Sequence, residues 1–279
     1  MIACAQLAPV FGDVEGNRAR ATEAITAAAC DGAMLVVLPE LCVTGYAFAD
    51  ECEARELGEP SDGETLRGWH ELALEHGIVI VGGFCEIDAD GRARNSAAVV
   101  DRRGVRCVYR KSHLWDREQL IFVAGSALPP VIDTDAGRVG VAVCYDAFFP
   151  EMMRSLAQRG ADVIAVPMNS PLTGPPATPL AVEVLLALAA AHVNRVFVAQ
   201  ADRAGTERGI EWAQASVICD PSGTALAGPR AGPGLLRAAC ALAEARDKSL
   251  GPRNDVFADR RPHLYLTDPP DVMTKEPVK

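Results

Sequence analysis

RVGVAVCYDAFFPE, residues 138–151, is the stretch that decides how this chain is read. Residues 139–143 are apolar and rich in β-branched side chains, the pattern of a buried strand. The run stops at Cys144, and Pro150 with Glu151 suits the first turn of a helix. A strand, a tight turn and a helix therefore follow one another, with a thiol on the turn. A side chain on such an elbow is held out at the edge of a sheet, where a substrate reaches it and a helix N-terminus favours negative charge. Cys144 is thus a candidate nucleophile. It needs partners from elsewhere in the chain, because most buried cysteines behave as small apolar residues.

Two further apolar runs end in a residue of conspicuous chemistry, Glu40 after MLVVLP and Lys111 after RCVYR. In α/β sheets ligands bind beyond the carboxyl ends of strands, so the three residues can converge on one pocket. Taken singly, a glutamate there is a loop charge and a lysine an edge residue that blunts strand pairing. The conjunction carries the functional reading.

The rest of the chain alternates strands with helices. A strand at 2–7 leads to a helix capped at Asn17 with Ala21, Ala24, Ile25 and Ala28 at helical spacing, ended by Gly32. Residues 47–60 read as a polar loop, and Ser61 with Glu64 as a capping box before Leu66, Trp69 and Ala73. Strands follow at 78–82, 96–101 and 105–111, the first two joined by a turn at Asp90 and Gly91. After the elbow come a helix with Met153, Leu156, Ala157 and Gly160 on one face and a strand at 162–168. Thr178 and Pro179 are expected to cap a helix whose apolar face carries Val182, Leu185, Ala189 and Val193. Strands at 196–201, 215–220 and 235–243 complete the series. Without a Pro/Gly/Ser-rich linker between the halves, this is one layered α/β domain over residues 1–267, followed by a charged, proline-rich tail at 268–279.

Composition bounds the partners. The 279 residues are nearly half apolar, enough for a sizeable core. With 27 basic against 37 acidic side chains the formal charge is −10, which disfavours nucleic acid. The nine cysteines are scattered without a CxxC pair, which points to reduced thiols and a cytoplasmic setting. No secretory signal is read at the N-terminus, and the longest apolar run, 180–191, is too short to span a bilayer.

Around the three strand ends the chain resembles the nitrilase, or carbon–nitrogen hydrolase, superfamily. LPELCVTGY at 38–46 is similar to the family's glutamate segment, YRKSHLW at 109–115 to its lysine segment and CYDAFFPE at 144–151 to its cysteine segment. Weaker similarity extends over IACAQLAP and GDVEGN near the start, GRARNSAAVVD at 91–101, NRVFVAQADR at 194–203 and SVICDPSG at 216–223. The resemblance implies a four-layered α-β-β-α sandwich, a catalytic set of Glu, Lys, Cys and a second Glu, and a homodimer or larger homo-oligomer built through apolar helices such as those at 150–160 and 179–193. Carried over by motif, Glu40 is the general base, Lys111 the electrostatic stabiliser and Cys144 the nucleophile. Glu118 is the second acid, from the similarity of EQLIFVAG at 118–125, with Asp116 as its competing neighbour. Tyr145, through its backbone N–H, is expected to help hold the oxyanion, and Tyr46, Phe148 and Asn169 to line the substrate pocket.

The chemistry fits an amide, a poor electrophile with a poor leaving group, which needs a nucleophile stronger than water, an acid for the nitrogen and a fixed positive charge for the oxyanion. No metal or organic cofactor is required, and the partner is a small-molecule amide or carbamoyl compound. Cys-Tyr-Asp followed by Phe-Pro-Glu resembles the amidases and carbamoyl hydrolases, whereas Cys-Trp-Glu accompanies nitrile hydrolysis in the family. Phe148, where relatives acting on acidic ω-amides often have arginine, points to an apolar or neutral acyl group. The competing readings are nitrile hydrolysis at the same site, a Cys–His pair through His113 or His192, a zinc site, and a binding protein that kept the fold and lost the chemistry. Departures from the family pattern lie at Val193, where Glu is common before Asn194, at Asp202, where Asn is common, and at Gln214 and Ala215, where a glycine precedes the serine.

Overall fold

The computed structural model describes residues 1–172, 174 and 180–265. The cap expected at Thr178 and Pro179 and the tail from residue 268 lie outside the described residues. By its contacts the chain divides into two units, Met1–Asp247 and Lys248–Lys279.

In the first half of the larger unit the order is β1 (Ile2–Gln6), α1 (Val14–Cys30), β2 (Leu35–Val37), α2 (Glu51–Leu57), α3 (Glu64–His76), β3 (Val79–Ile87), β4 (Ala93–Asp101) and β5 (Gly104–Arg110). The second half begins with β6 (Val131–Thr134), β7 (Gly137–Val141), α4 (Pro150–Gln158), β8 (Val163–Pro167), α5 (Val182–Asn194) and β9 (Phe197–Ala201). The short pair β10 (Thr206–Glu207) and β11 (Ile210–Glu211) follows, then β12 (Val217–Cys219), β13 (Ala225–Ala227) and β14 (Gly234–Ala238). In the smaller unit, β15 (Ser249–Gly251) pairs with β16 (Asn254–Asp255).

Two six-stranded sheets form, in the orders β14-β1-β2-β3-β4-β5 and β13-β12-β9-β8-β7-β6. Their centres are parallel, β1 to β2 to β3 in one and β7 to β8 to β9 in the other, and their margins antiparallel. Helices α1 and α3 cover the first sheet, α4 and α5 cover the second, and β1, β2 and β3 meet β8, β9 and β12 across the middle. This is the four-layered α-β-β-α sandwich. Strands β1, β2, β8 and β9, covered on both faces, are buried at every position and are apolar apart from Gln6 and Gln200. Ile25 of α1 and Leu66 and Trp69 of α3 pack onto Val36 and Ile80 of the first sheet.

Several sequence expectations are corrected in detail. Asp13, not Asn17, caps α1; Asn17 is buried in the first turn and hydrogen-bonds Val10 and Val43. Gly63 precedes α3 in place of a Ser61 capping box, and Glu59 reaches in to accept the Thr65 N–H at 3.0 Å. The loop expected at 47–60 contains α2, started by the Asp50 carboxylate on the Glu53 N–H. On α5 the buried positions are Val184, Ala187, Ala191 and Asn194, while Val182, Leu185 and Val193 face outward. A helix apolar on nearly every side has no periodicity with which to choose its inner face.

Candidate active site

The two sheets place the three strand-end residues at one seam. Glu40 follows β2 on a turn wedged between β3 and the end of β8. Gly83 N–H donates to Pro39 O at 3.0 Å, Cys42 N–H to Gly83 O at 3.1 Å, and Glu40 N–H to Met168 O at 3.3 Å. The turn comes so close to β3 that a Cβ on Gly83 would lie 2.5 Å from Glu40 Cα, so only glycine fits. Lys111 follows β5 directly, its N–H held by Asn95 O and its carbonyl by Gly125 N–H, both at 2.8 Å.

Its ammonium is shared by two carboxylates, with Nζ 2.7 Å from Glu40 Oε1 and 2.8 Å from Glu118 Oε1. All three side chains are buried. Of the two candidate acids it is Glu118, buried on a 3-10 turn, that reaches Lys111, while the neighbouring Asp116 is exposed. Two further side chains complete the network, Asn95, which the sequence reading missed, and Tyr46. Asn95 donates to Glu40 Oε1 at 2.7 Å, and Tyr46, expected on substrate, donates its hydroxyl to Glu118 Oε1 at 2.7 Å. Glu40 Oε2 has no hydrogen-bond partner among the described residues.

Cys144 opens the 3-10 turn Cys144–Phe148 at φ +46°, a left-handed conformation uncommon outside glycine and typical of strained functional positions. Its thiol points to Asn169 O at 3.5 Å, and Asn169 Nδ2 donates to the Glu40 carbonyl at 2.8 Å. Asn169 thus ties the elbow to the glutamate turn. A second tie is Asp146, fully buried, which accepts Val143 N–H at 3.0 Å, Tyr109 OH at 2.9 Å, His113 N–H at 3.1 Å and His113 Nδ1 at 2.7 Å. One carboxylate so pins the residue before Cys144 to residues on either side of Lys111. His113 Nδ1 is held by Asp146, and His192 Nδ1 lies 2.8 Å from Ser222 O, whereas the Cys144 thiol points to Asn169 O. Among the described residues no three His, Cys, Asp or Glu side chains gather in a metal-holding group.

A cavity of about 900 Å³ adjoins the network, lined by Tyr46, Phe48, Trp115, Glu118, Phe122 and Leu172 among others. Tyr145 meets Trp115 edge-on at a ring distance of 4.8 Å, and Phe148 is tilted against it at 6.5 Å.

Burial governs the protonation states. It pushes Glu40 up, the Lys111 cation pulls it partly back, the Glu118 anion adds to the rise, and the carboxyl settles at about 7. For Lys111 burial favours the neutral amine, but Glu118 and then Glu40 outweigh it and hold the ammonium charged well past neutrality. Burial, reinforced by Glu40, keeps the Cys144 thiol protonated far above its usual range, against the pull of Lys111. A protonated thiol, a half-ionised carboxylate with a free oxygen and a fixed ammonium make a set that transfers protons at neutral pH without accumulating a free thiolate.

A sandwich carrying a buried Glu-Lys-Cys set on an elbow defines a thiol hydrolase of carbon–nitrogen bonds. Comparison with known proteins agrees: residues 1–248 match the family described as carbon–nitrogen hydrolase. A protein of Pyrococcus abyssi named nitrilase is 37% identical over 95% of this chain and 98% of its own length. The deaminated glutathione amidase of Bos taurus is 34% identical over 91% of this chain and 80% of its own. A solved structure of a glutamate-to-glutamine variant of the amidase from Nesterenkonia sp. AN1, with acrylamide added at its active-site cysteine, superposes with a TM-score of 0.74. It is 26% identical and covers 88% of this chain and 95% of that one. The chain belongs to the carbon–nitrogen hydrolase family. Among the described residues no helix is long and apolar enough to cross a membrane.

Proposed function

We propose that this amidase-type hydrolase cleaves a small carboxamide to the acid and ammonia through a thioester on Cys144. The observation that carries the assignment of roles is the Lys111 ammonium, shared between Glu40 and Glu118, with Glu40 Oε2 unpartnered beside it. Cys144 Sγ adds to the amide carbon as its proton passes to Glu40. Lys111, with the Tyr145 N–H, holds the oxyanion. Glu40 then gives the proton to the nitrogen, the carbon–nitrogen bond breaks, and ammonia leaves. A water enters, loses its proton to Glu40 and attacks the thioester, and the thiol reforms as the acid departs. Glu118 keeps Lys111 in place and orients the substrate's amino group.

Tyr46, Phe48, Trp115, Phe122 and Leu172 give the cavity apolar surface that suits an apolar or neutral acyl group, beside the charged Arg117, Arg208 and Glu211; Phe148 lies against Trp115. An N-carbamoyl compound presents the same carbonyl and amino groups to the site. Nitrile hydrolysis is the second reading, favoured by the 37% identical relative named nitrilase. The outward Val182, Leu185 and Val193 of α5 support a homo-oligomer paired through that helix. The nine free cysteines support a reducing, cytoplasmic setting.

The test is ammonia release from a panel of carboxamides, N-carbamoyl amino acids and nitriles, by wild type and Cys144→Ala, with intact mass recorded during turnover. Release from carboxamides that vanishes in the variant, with a transient acyl adduct on Cys144, is the expected result. Release that survives Cys144→Ala refutes the nucleophile, and release from nitriles alone refutes the amide reading.

A further inference from the structure

The segment after β9 carries a second set of buried charges that the proposed mechanism leaves unused. Arg203 is fully buried, and its guanidinium donates to Glu207 at 2.7 Å and to Pro9 O at 2.8 Å. Glu207, also buried, turns its other oxygen to the backbone of a distant loop, accepting Tyr46 N–H at 2.8 Å and Ala47 N–H at 2.7 Å. The loop is shaped around that carboxylate: Gly45, at φ +86°, would place a Cβ 2.6 Å from Glu207 Oε2. The same arginine acts on Tyr46 from the ring side as well. Its guanidinium carbon lies 4.4 Å over the Trp212 ring, and Trp212 meets the Tyr46 ring edge-on at 5.5 Å. Main chain and ring of Tyr46 are therefore both fixed by one ion pair, and the hydroxyl so aimed donates to the Glu118 oxygen that Lys111 occupies.

The geometry points to Arg203 and Glu207 as positioning residues that act on the reaction through Tyr46, by keeping its hydroxyl on Glu118 and so fixing where the Lys111 ammonium stands. Neither charge is placed to touch substrate. A buried ion pair is a poor way to gain stability over apolar packing, so its presence beneath a catalytic network calls for a geometric role. The inference rests on the proposed roles of Lys111 and Glu118.

The experiment is a double-mutant cycle of Glu207→Gln with Tyr46→Phe, read by amide turnover and by site-resolved mass spectrometry of Cys144 alkylation with iodoacetamide. Each single variant should lower kcat about tenfold, Glu207→Gln should leave KM within about twofold, and the double variant should fall no further than either single one. Glu207→Asp, which keeps the charge opposite Arg203 but withdraws it from the two N–H groups, takes its place in the cycle if Glu207→Gln does not fold. A double variant near one hundredfold down, a Tyr46→Phe variant with normal kcat, or a loss confined to KM overturns the proposal. Absence of ammonia from every amide with wild type would instead defeat the functional reading. The alkylation rates then decide the positioning role alone, with the same non-additivity expected.

Discussion

Glu40→Gln should make the protein more stable at alkaline pH while abolishing its activity. Ionised Glu40 is costly in the fold: its pKa rises from the ordinary glutamate range to about 7, because burial outweighs the Lys111 cation. That rise corresponds to about 3 kcal/mol of native stability lost once the group is ionised in both folded and unfolded chains. A folded-state pKa above the unfolded value means that the contribution is fully present below the glutamate range and disappears as pH rises through 7. Glutamine resembles the neutral acid and keeps an oxygen for Lys111 and Asn95, but its amide hydrogens replace the unpartnered Oε2. Leaving those donors unsatisfied costs about 1–2 kcal/mol. The net is a gain of about 1–2 kcal/mol at pH 8, shrinking through pH 6 and reversing in sign below the glutamate range. Urea unfolding at pH 8, 6 and 5 reads it directly, with the slope unchanged between the two proteins. Turnover should fall by about 10² to 10⁴ in the same preparation, the usual worth of a general base. A stability difference that does not vary with pH would refute the assignment of the buried charge to Glu40.

Turnover of wild type should show an acid limb in kcat/KM with its midpoint near 7, since Glu40 works ionised and activity is lost as pH falls through that value; a profile flat from pH 8 to 5 counts against the base. Lys111→Met leaves Glu40 and Glu118 buried without their cation; the urea midpoint should report a loss of about 3–5 kcal/mol, along with inactivity. Gly83→Ala drives a methyl into the Glu40 turn, 2.5 Å from its Cα. A loss of about 1–3 kcal/mol is expected by thermal melting, with kcat at least about tenfold down.

Glu40, Lys111 and Cys144 were legible because each ends an apolar run, and strand ends announce themselves in one dimension. Glu118 was legible only by its likeness to a family segment, and the structure separates it from Asp116 by which carboxylate reaches the lysine. The residues that aim this set were not legible. Asn95 lies mid-strand on β4, Asp146 reads as a turn residue, and Glu207 meets Tyr46 across 161 residues of sequence. No local pattern encodes a contact at that separation. Asn169 and Tyr46 were expected on substrate, yet their clearest hydrogen bonds hold Glu40 and Glu118. The missed α2 has the composition of a loop and is started by Asp50, with an Arg55–Glu51 pair on its surface. The inward face of α5 escaped because valine, leucine and alanine are spread around nearly the whole helix.

The base and the cation hang from one sheet and the nucleophile from the other, joined by Asn169 and Asp146. Neither half of the larger unit therefore owns a partial active site that the other refines. Chemistry is a property of their docking, and a slip of one sheet over the other by even 1 Å would part the thiol from its base while every strand stayed intact. Turnover in this protein is consequently a gauge of inter-sheet registry. On heating or in mild denaturant it should vanish ahead of the circular-dichroism signal of the strands, a dissociation that a site built within a single sheet would not show.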